Sequence, residues 1–248
     1  MGQMQFGSSN PALSADTFRK ALALAGEEKM TVMGTVHKTG LCLLIALLTA
    51  SYTWGMNPQD GMLMPLMFTG MIGGLITAFV IIFKPHMAPT LAPVYAALEG
   101  LLLGAISGLF ELQYPGLVSQ ALISTFGVLG AMLFAYQTKL IQVTERFKMG
   151  VFAATAGIAI FYLFSMVMSF FGSSPSFMVS SSPMSIGFSV IVVIVAALNL
   201  VLDFDFIESG AKAGAPKYME WYGAFGLMVT LVWLYMEMLR LLSKLRDR

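Results

Sequence analysis

Seven apolar stretches, each close to twenty residues long, take up most of residues 39–240. A hydrocarbon core about 30 Å thick needs roughly 20 apolar residues per spanning helix, so this pattern constrains the fold more than any other feature. The stretches fall at 39–56, 62–83, 91–110, 117–136, 150–171, 185–206 and 219–240. Short links carrying helix breakers separate them: Asn57-Pro58, Pro85, Pro115-Gly116, Gly172 with Pro175, and Gly214 with Pro216. The Ser-rich run 173–185 reads as a loop. Only 11% of the residues are charged, against about a quarter in soluble domains, so much of the surface does not face water. The predicted fold is an all-α, seven-helix membrane bundle over residues 39–245, preceded by a polar segment at 1–38.

Orientation follows from lysine and arginine. Arg19, Lys20, Lys29 and Lys38 precede the first stretch, and Lys84 lies between the second and third. Lys139, Arg146 and Lys148 lie between the fourth and fifth, and Lys212 and Lys217 between the sixth and seventh. The alternate links carry no basic residue. This predicts a cytoplasmic N-terminus, with membrane insertion driven by the first spanning helix, since no cleavable signal stands at the start. The tail runs against the pattern: Arg240, Lys244, Arg246 and Arg248 fall outside if all seven stretches cross, and a re-entrant last segment is the alternative. The length of the last stretch favours crossing.

Packing is partly legible. Gly100, Gly104 and Gly108 form a stripe on the third helix, Gly70 and Gly74 one on the second, and Gly223 and Gly226 one on the seventh. Small residues let helices approach closely in lipid, which suggests a central third helix. The twenty methionines read as adaptable filler. Cys42, the sole cysteine, excludes an intramolecular disulfide and reads as lipid-facing or packed.

Ionisable groups within apolar stretches are costly, so each is a functional candidate by default. Glu99 lies about 12 Å into the third helix at 1.5 Å per residue, with no basic neighbour on its own helix, and reads as lining a polar cavity or pairing with another helix. Asp203 and Asp205 interrupt the run ALNLVLDFDFIESG at 197–210. Asn199, four residues before Asp203, extends a polar stripe on its face. Asp205 is rotated about 200° from Asp203, so both cannot face one partner, and one of the two is expected to face headgroup water. Glu237 and Arg240, three apart, read as an ion pair or part of a site. Glu111, Glu208 and Glu220 read as ordinary charges at helix ends, Glu208 within reach of Lys212.

Several classes are excluded. The two histidines, His37 and His86, lie at helix ends and form no metal-binding pair, and no histidine is available at depth to activate a serine. A retinal-type lysine is missing from the last stretch, because Lys244 falls past it. No phosphate-binding loop, nucleotide domain or nucleic-acid-binding charge is present, the net charge being +1. The chain is expected to be no enzyme. A bundle with buried carboxylates suits cation or proton movement.

The strings APVYAALEGLLLGAIS (92–107), LVLDFDFIE (200–208) and PKYMEWYGAFGLMVTLVWLYMEMLRLLSKL (216–245), with SNPALSADTF at 9–18, resemble the bacterial branch of the Bax inhibitor family. The resemblance covers nearly the whole chain. It implies seven helices with the last one central, and a pH-sensitive calcium leak in the bacterial inner membrane. In that family aspartates on helices six and seven share a proton as pH sensor and gate, and a basic residue on helix two acts as a latch. Asp203 matches the helix-six aspartate. The helix-seven position falls near Trp233, with Glu237 the nearest acid, and Lys84 is the only basic residue at helix two. Asp203 is expected about 6 Å from the cytoplasmic end of its helix and Glu237 about 27 Å along the seventh from the same side. A simple bundle would keep those two apart, which makes Glu99 the alternative partner of Asp203 and makes Glu99 and Asp203 the candidate metal ligands. Calcium is expected as transported ion and takes six to eight oxygens, so carbonyls or water would have to join them. No other cofactor is expected. Expected partners are the bilayer, cations and, in an alternative reading, a membrane quality-control protease gripped through residues 1–38.

Overall fold

The computed structural model describes residues 29–59, 61–171 and 180–248. Its helices are α1 (Val32–Trp54), α2 (Leu63–Phe83), α3 (Ala88–Gln113), α4 (Leu117–Gln137), α5 (Glu145–Phe170), α6 (Pro183–Lys212) and α7 (Met219–Arg246), with a 3-10 turn at Pro85–Met87 before α3. All seven are long and apolar enough to cross a membrane. Among the described residues there is no strand, only an isolated bridge between Lys29 and Pro216. The segment 1–28 and the Ser-rich residues 172–179 lie outside the described residues.

The helix starts have local causes. Thr31 caps α1 by accepting from the amide of Gly34 at 2.9 Å, Thr144 caps α5 from Phe147 at 3.2 Å, and Ser182 caps α6 from Ser185 at 3.3 Å, each satisfying an amide that the helix leaves unpaired. Proline follows Ser182 at the first helical position of α6, where its missing N–H costs nothing. Gly116 (φ 80) turns the chain into α4, and Gly214 (φ 71) ends the α6 region; glycine reaches this left-handed backbone without a Cβ clash.

Three helices extend six residues or more past the stretches expected from hydropathy. α1 begins seven residues earlier than position 39, so Val32–Lys38 are helical rather than part of a polar tail. α6 continues six residues past 206. α7 continues past 240 as unbroken helix to Arg246, about 42 Å at 1.5 Å per residue, which suffices for a full crossing without re-entry. In each case the added residues mix apolar side chains with polar or charged ones, and other helices cover part of them.

The core is centred on α7, which packs along α1, α3, α4 and α6. Of its most apolar window 61% is buried, against 17% for α5. α5 is held mainly by α6, and α2 packs on α3 rather than along α7, so the last helix is central without all six others closing round it. The glycine stripes hold the α1–α3–α2 layer. A Cβ on Gly104 would overlap the carbonyl oxygen of Ala50 on α1, and one on Gly70 would come within 2.6 Å of the Leu98 carbonyl on α3. Gly108, at the end of the stripe, is looser, 3.4 Å from Trp54 by the same construction. Cys42 is packed inside, fully buried in the core.

Candidate functional site

The start of α1 and the links α2–α3, α4–α5 and α6–α7 share one end of the bundle, here the basic side. Asp203 lies nine residues before the end of α6, about 13 Å from that end rather than the 6 Å expected, because α6 is longer than its apolar run. It is fully buried, at 0% exposure. Thr230, eleven residues into α7, donates its hydroxyl to Asp203 Oδ2 at 2.6 Å. The two most buried helices are therefore joined at depth through a carboxyl group. Asn199, one turn earlier and also buried, donates to Thr155 of α5 at 2.8 Å and to the Val195 carbonyl at 2.8 Å. The polar stripe on α6 is real, but its members serve different neighbours.

Glu99 lies about 16 Å into α3, half-buried. It accepts a hydrogen bond from Tyr95 one turn before it, and its Oε1 would lie 3.0 Å from a Cβ placed on Gly74. It is thus turned toward α2. Asp203 is turned toward α7, and α3 and α6 do not pack along one another. The structure does not bring Glu99 and Asp203 together. Tyr95 links Glu99 indirectly to the centre, meeting Phe225 of α7 edge-on with 4.9 Å between rings. Among the described residues no group of three or more His, Cys, Asp or Glu could hold a metal ion, so neither acid sits in a ready-made metal site.

Glu237 lies seven residues beyond Thr230 on α7, about 10 Å farther along the axis, and has partners of its own. Its Oε1 accepts from Arg240 at 2.7 Å and from the Tyr162 hydroxyl at 2.9 Å. Arg240 also donates to Tyr162 at 2.7 Å and lies over its ring at 5.1 Å. Arg240 therefore ties α7 to α5. Lys84, the other candidate latch, caps the C-terminus of α2, is exposed, and enters no ion pair among the described residues.

Asp205 is half-buried and pairs with Lys148 of α5 at 3.1 Å, so it faces a neighbouring helix as well as solvent. It borders a cleft of about 910 Å³ at the basic side, lined among others by Thr35, Thr39, Leu43, Tyr136, Glu208 and Leu231. Leu43 and Leu231 are shared with a second, apolar cavity of about 370 Å³ reaching Gly104 and Tyr235. Ser107 and Tyr235 share a hydrogen bond of 2.6 Å at its wall. The two cavities follow the face of α7 between α1 and α4, which stand apart.

Two charged groups were not legible as they stand. Glu220, expected as an ordinary interfacial charge, is fully buried. It accepts from the backbone amide and the hydroxyl of Thr31, each at 2.8 Å, and forms ion pairs with Lys38 and, at 3.4 Å, with Lys217. Gly34 leaves the space its carboxylate fills, and Lys38 also lies 5.5 Å from the Trp221 ring centre. Lys244, expected past the end of the last helix, is inside it and buried, donating to Ser189 at 2.9 Å. Glu208 does reach Lys212, as the spacing of four suggested, and also accepts from Tyr136. Glu111 caps α4 by accepting from Gly116 at 2.6 Å and Val118 at 3.3 Å.

The sequence profile of one family, Bax inhibitor 1 like, matches residues 10–247. No curated protein matches the chain.

Proposed function

The chain belongs to the Bax inhibitor 1 like family of membrane proteins, and from that premise we propose that it is a pH-sensitive cation leak, with calcium as the ion, gated where Asp203 of α6 meets Thr230 of α7. The observation that carries the reading is this buried carboxyl–hydroxyl bridge between the two innermost helices. An ionised carboxylate in a low-dielectric interior is costly, so it draws a cation or water, or takes up a proton. At low pH a protonated Asp203 keeps α6 and α7 packed. At high pH the ionised group favours a hydrated, separated arrangement. The clefts along α7 give such an arrangement a route, the wider one carrying Asp205 and Glu208 beside Lys139 and Lys212. The reading places the N-terminus in the cytoplasm of a bacterial cell and the bundle in its inner membrane. It does not use a pair of acids sharing one proton, since Glu99 faces α2 and Glu237 is engaged with Arg240.

The test is calcium flux into dye-loaded liposomes carrying the purified protein, followed from acid to alkaline pH. Flux that rises with pH supports the leak. Absence of flux at every pH removes it.

A second reading, a non-transporting modulator of a membrane protease or stress response, draws support from residues 29–31. Met30 donates to the Ala215 carbonyl at 2.7 Å, and Thr31 holds Glu220, so a partner gripping the preceding segment would pull directly on the start of α7. Deleting residues 1–28 separates the two: loss of the modulating effect with flux intact supports this second role alongside the first.

A further inference from the structure

At the end of the bundle opposite the basic side, α7 presents Glu237, Arg240 and Lys244 along one face, toward Tyr162 of α5 and Ser189 of α6. The stripe carries two cations and one acid. Glu237 places its Oε1 on Arg240 and Tyr162. Lys244 has only 5% of its surface exposed, and its one hydrogen bond among the described residues goes to a neutral hydroxyl, Ser189. An ammonium group has three protons to place, and a buried cation without a close anion is strongly destabilising.

Glu237 keeps one buried oxygen, Oε2, without a hydrogen-bond partner among the described residues, but its charge is already shared with Arg240 at 2.7 Å, so one carboxylate stands against two cations. The α5–α6 connection, residues 171–182, reads FGSSPSFMVSSS and contains no acid. On the same side Asp247 accepts from Tyr114 at 2.7 Å and Glu111 caps α4. Meanwhile Ser185, one turn before Ser189 on the same face of α6, is fully buried, and its hydroxyl has no hydrogen-bond partner among the described residues. Ser185 also lies in the first turn of α6, where the helix end carries partial positive charge. The buried ammonium thus meets α6 at Ser189, one turn from an unused buried hydroxyl at Ser185 in the first turn of the helix, with Arg240 one turn away on α7.

We infer that a small monovalent anion of the chloride type binds here, between Lys244, Ser185 and Ser189, neutralising the excess charge between α6 and α7. Its role is to fasten the ends of these two helices, so it is independent of whether the protein conducts cations.

The test compares thermal unfolding of the full-length protein in detergent with sodium chloride and with sodium gluconate at equal ionic strength. Wild type is expected to gain roughly 5 °C at a hundredfold excess of chloride over its Kd. Lys244→Met removes the charge at similar length and should abolish the gain; Ser185→Ala, which has little bearing on folding, should weaken chloride binding about tenfold. Bromide soaked into crystals should give an anomalous peak beside Lys244 Nζ. Equal stability in the two salts, an undiminished gain in both variants, or bromide density absent from this place would each overturn the inference. So would stabilisation by anionic lipid with none by chloride, which would identify the occupant as a lipid phosphate.

Discussion

Glu220 and Asp203 are both fully buried acids, yet the structure treats them oppositely. Glu220, at the start of α7, receives two lysines, a threonine hydroxyl and a backbone amide. Asp203, at depth, receives the neutral hydroxyl of Thr230 from the same helix. Convergent cations hold a carboxylate permanently ionised and make it a fastener. A hydroxyl donates to a carboxylate and can also accept from a carboxylic acid, binding the ionised form more strongly, so the contact persists in both protonation states while favouring the ionised one. In the proposed function the difference separates structure from switch: the first acid pins Thr31 and the start of α1 to α7, and the second is where charge would change inside the membrane.

The largest effect that would break this comparison is at the fastener. Glu220→Ala leaves Lys38 facing a buried hole and is expected to cost about 3–5 kcal/mol, measured as loss of thermal stability in detergent. The protein that remains folded should keep its pH response. A pH response abolished by Glu220→Ala would erase the distinction between the two acids. Next in size, Gly104→Leu should push α1 from α3 at a cost of about 1–3 kcal/mol, again read by unfolding, with no expected dependence on pH.

At the switch, Thr230→Val should cost about 1–3 kcal/mol, the range for a buried group deprived of its partner. The hydroxyl supports the ionised carboxylate, so its removal favours the protonated form. Flux is then expected to begin at a higher pH than in wild type, and a shift to lower pH would reverse the assigned role of Thr230. The smallest effect belongs to Lys212→Ala. Its pair with Glu208 is largely exposed, so stability should change by about 0.5 kcal/mol or less, a baseline against which the buried groups are judged.

The spans themselves were readable because hydropathy measures what lipid demands of a helix surface. That measure fails where protein replaces lipid. Gly34, Thr35 and Lys38 of α1 are partly or fully covered by the start of α7, and the sequence showed only a polar tail. The same holds for Gly210 on α6 and for Lys244 on α7, both buried beyond the apolar runs of their helices. The glycines at 100 and 104 were readable because close helix approach in lipid leaves few alternatives to small residues. Glu220 was not, since Lys38 is 182 residues away in the chain and no local periodicity links them. Asn199 and Asp203 shared a face as their spacing implied, but which neighbour each would meet depended on helix order. Helix order also turned Glu99 toward α2.

The central claim is that protonation of Asp203 sets the state of the α6–α7 contact. The most direct measurement is calcium flux through liposomes bearing Asp203→Asn, compared with wild type from acid to alkaline pH. Asparagine keeps the shape and stays neutral, so flux should remain at the low-pH level throughout, while wild-type flux climbs. A pH profile for Asp203→Asn that follows wild type would contradict the account.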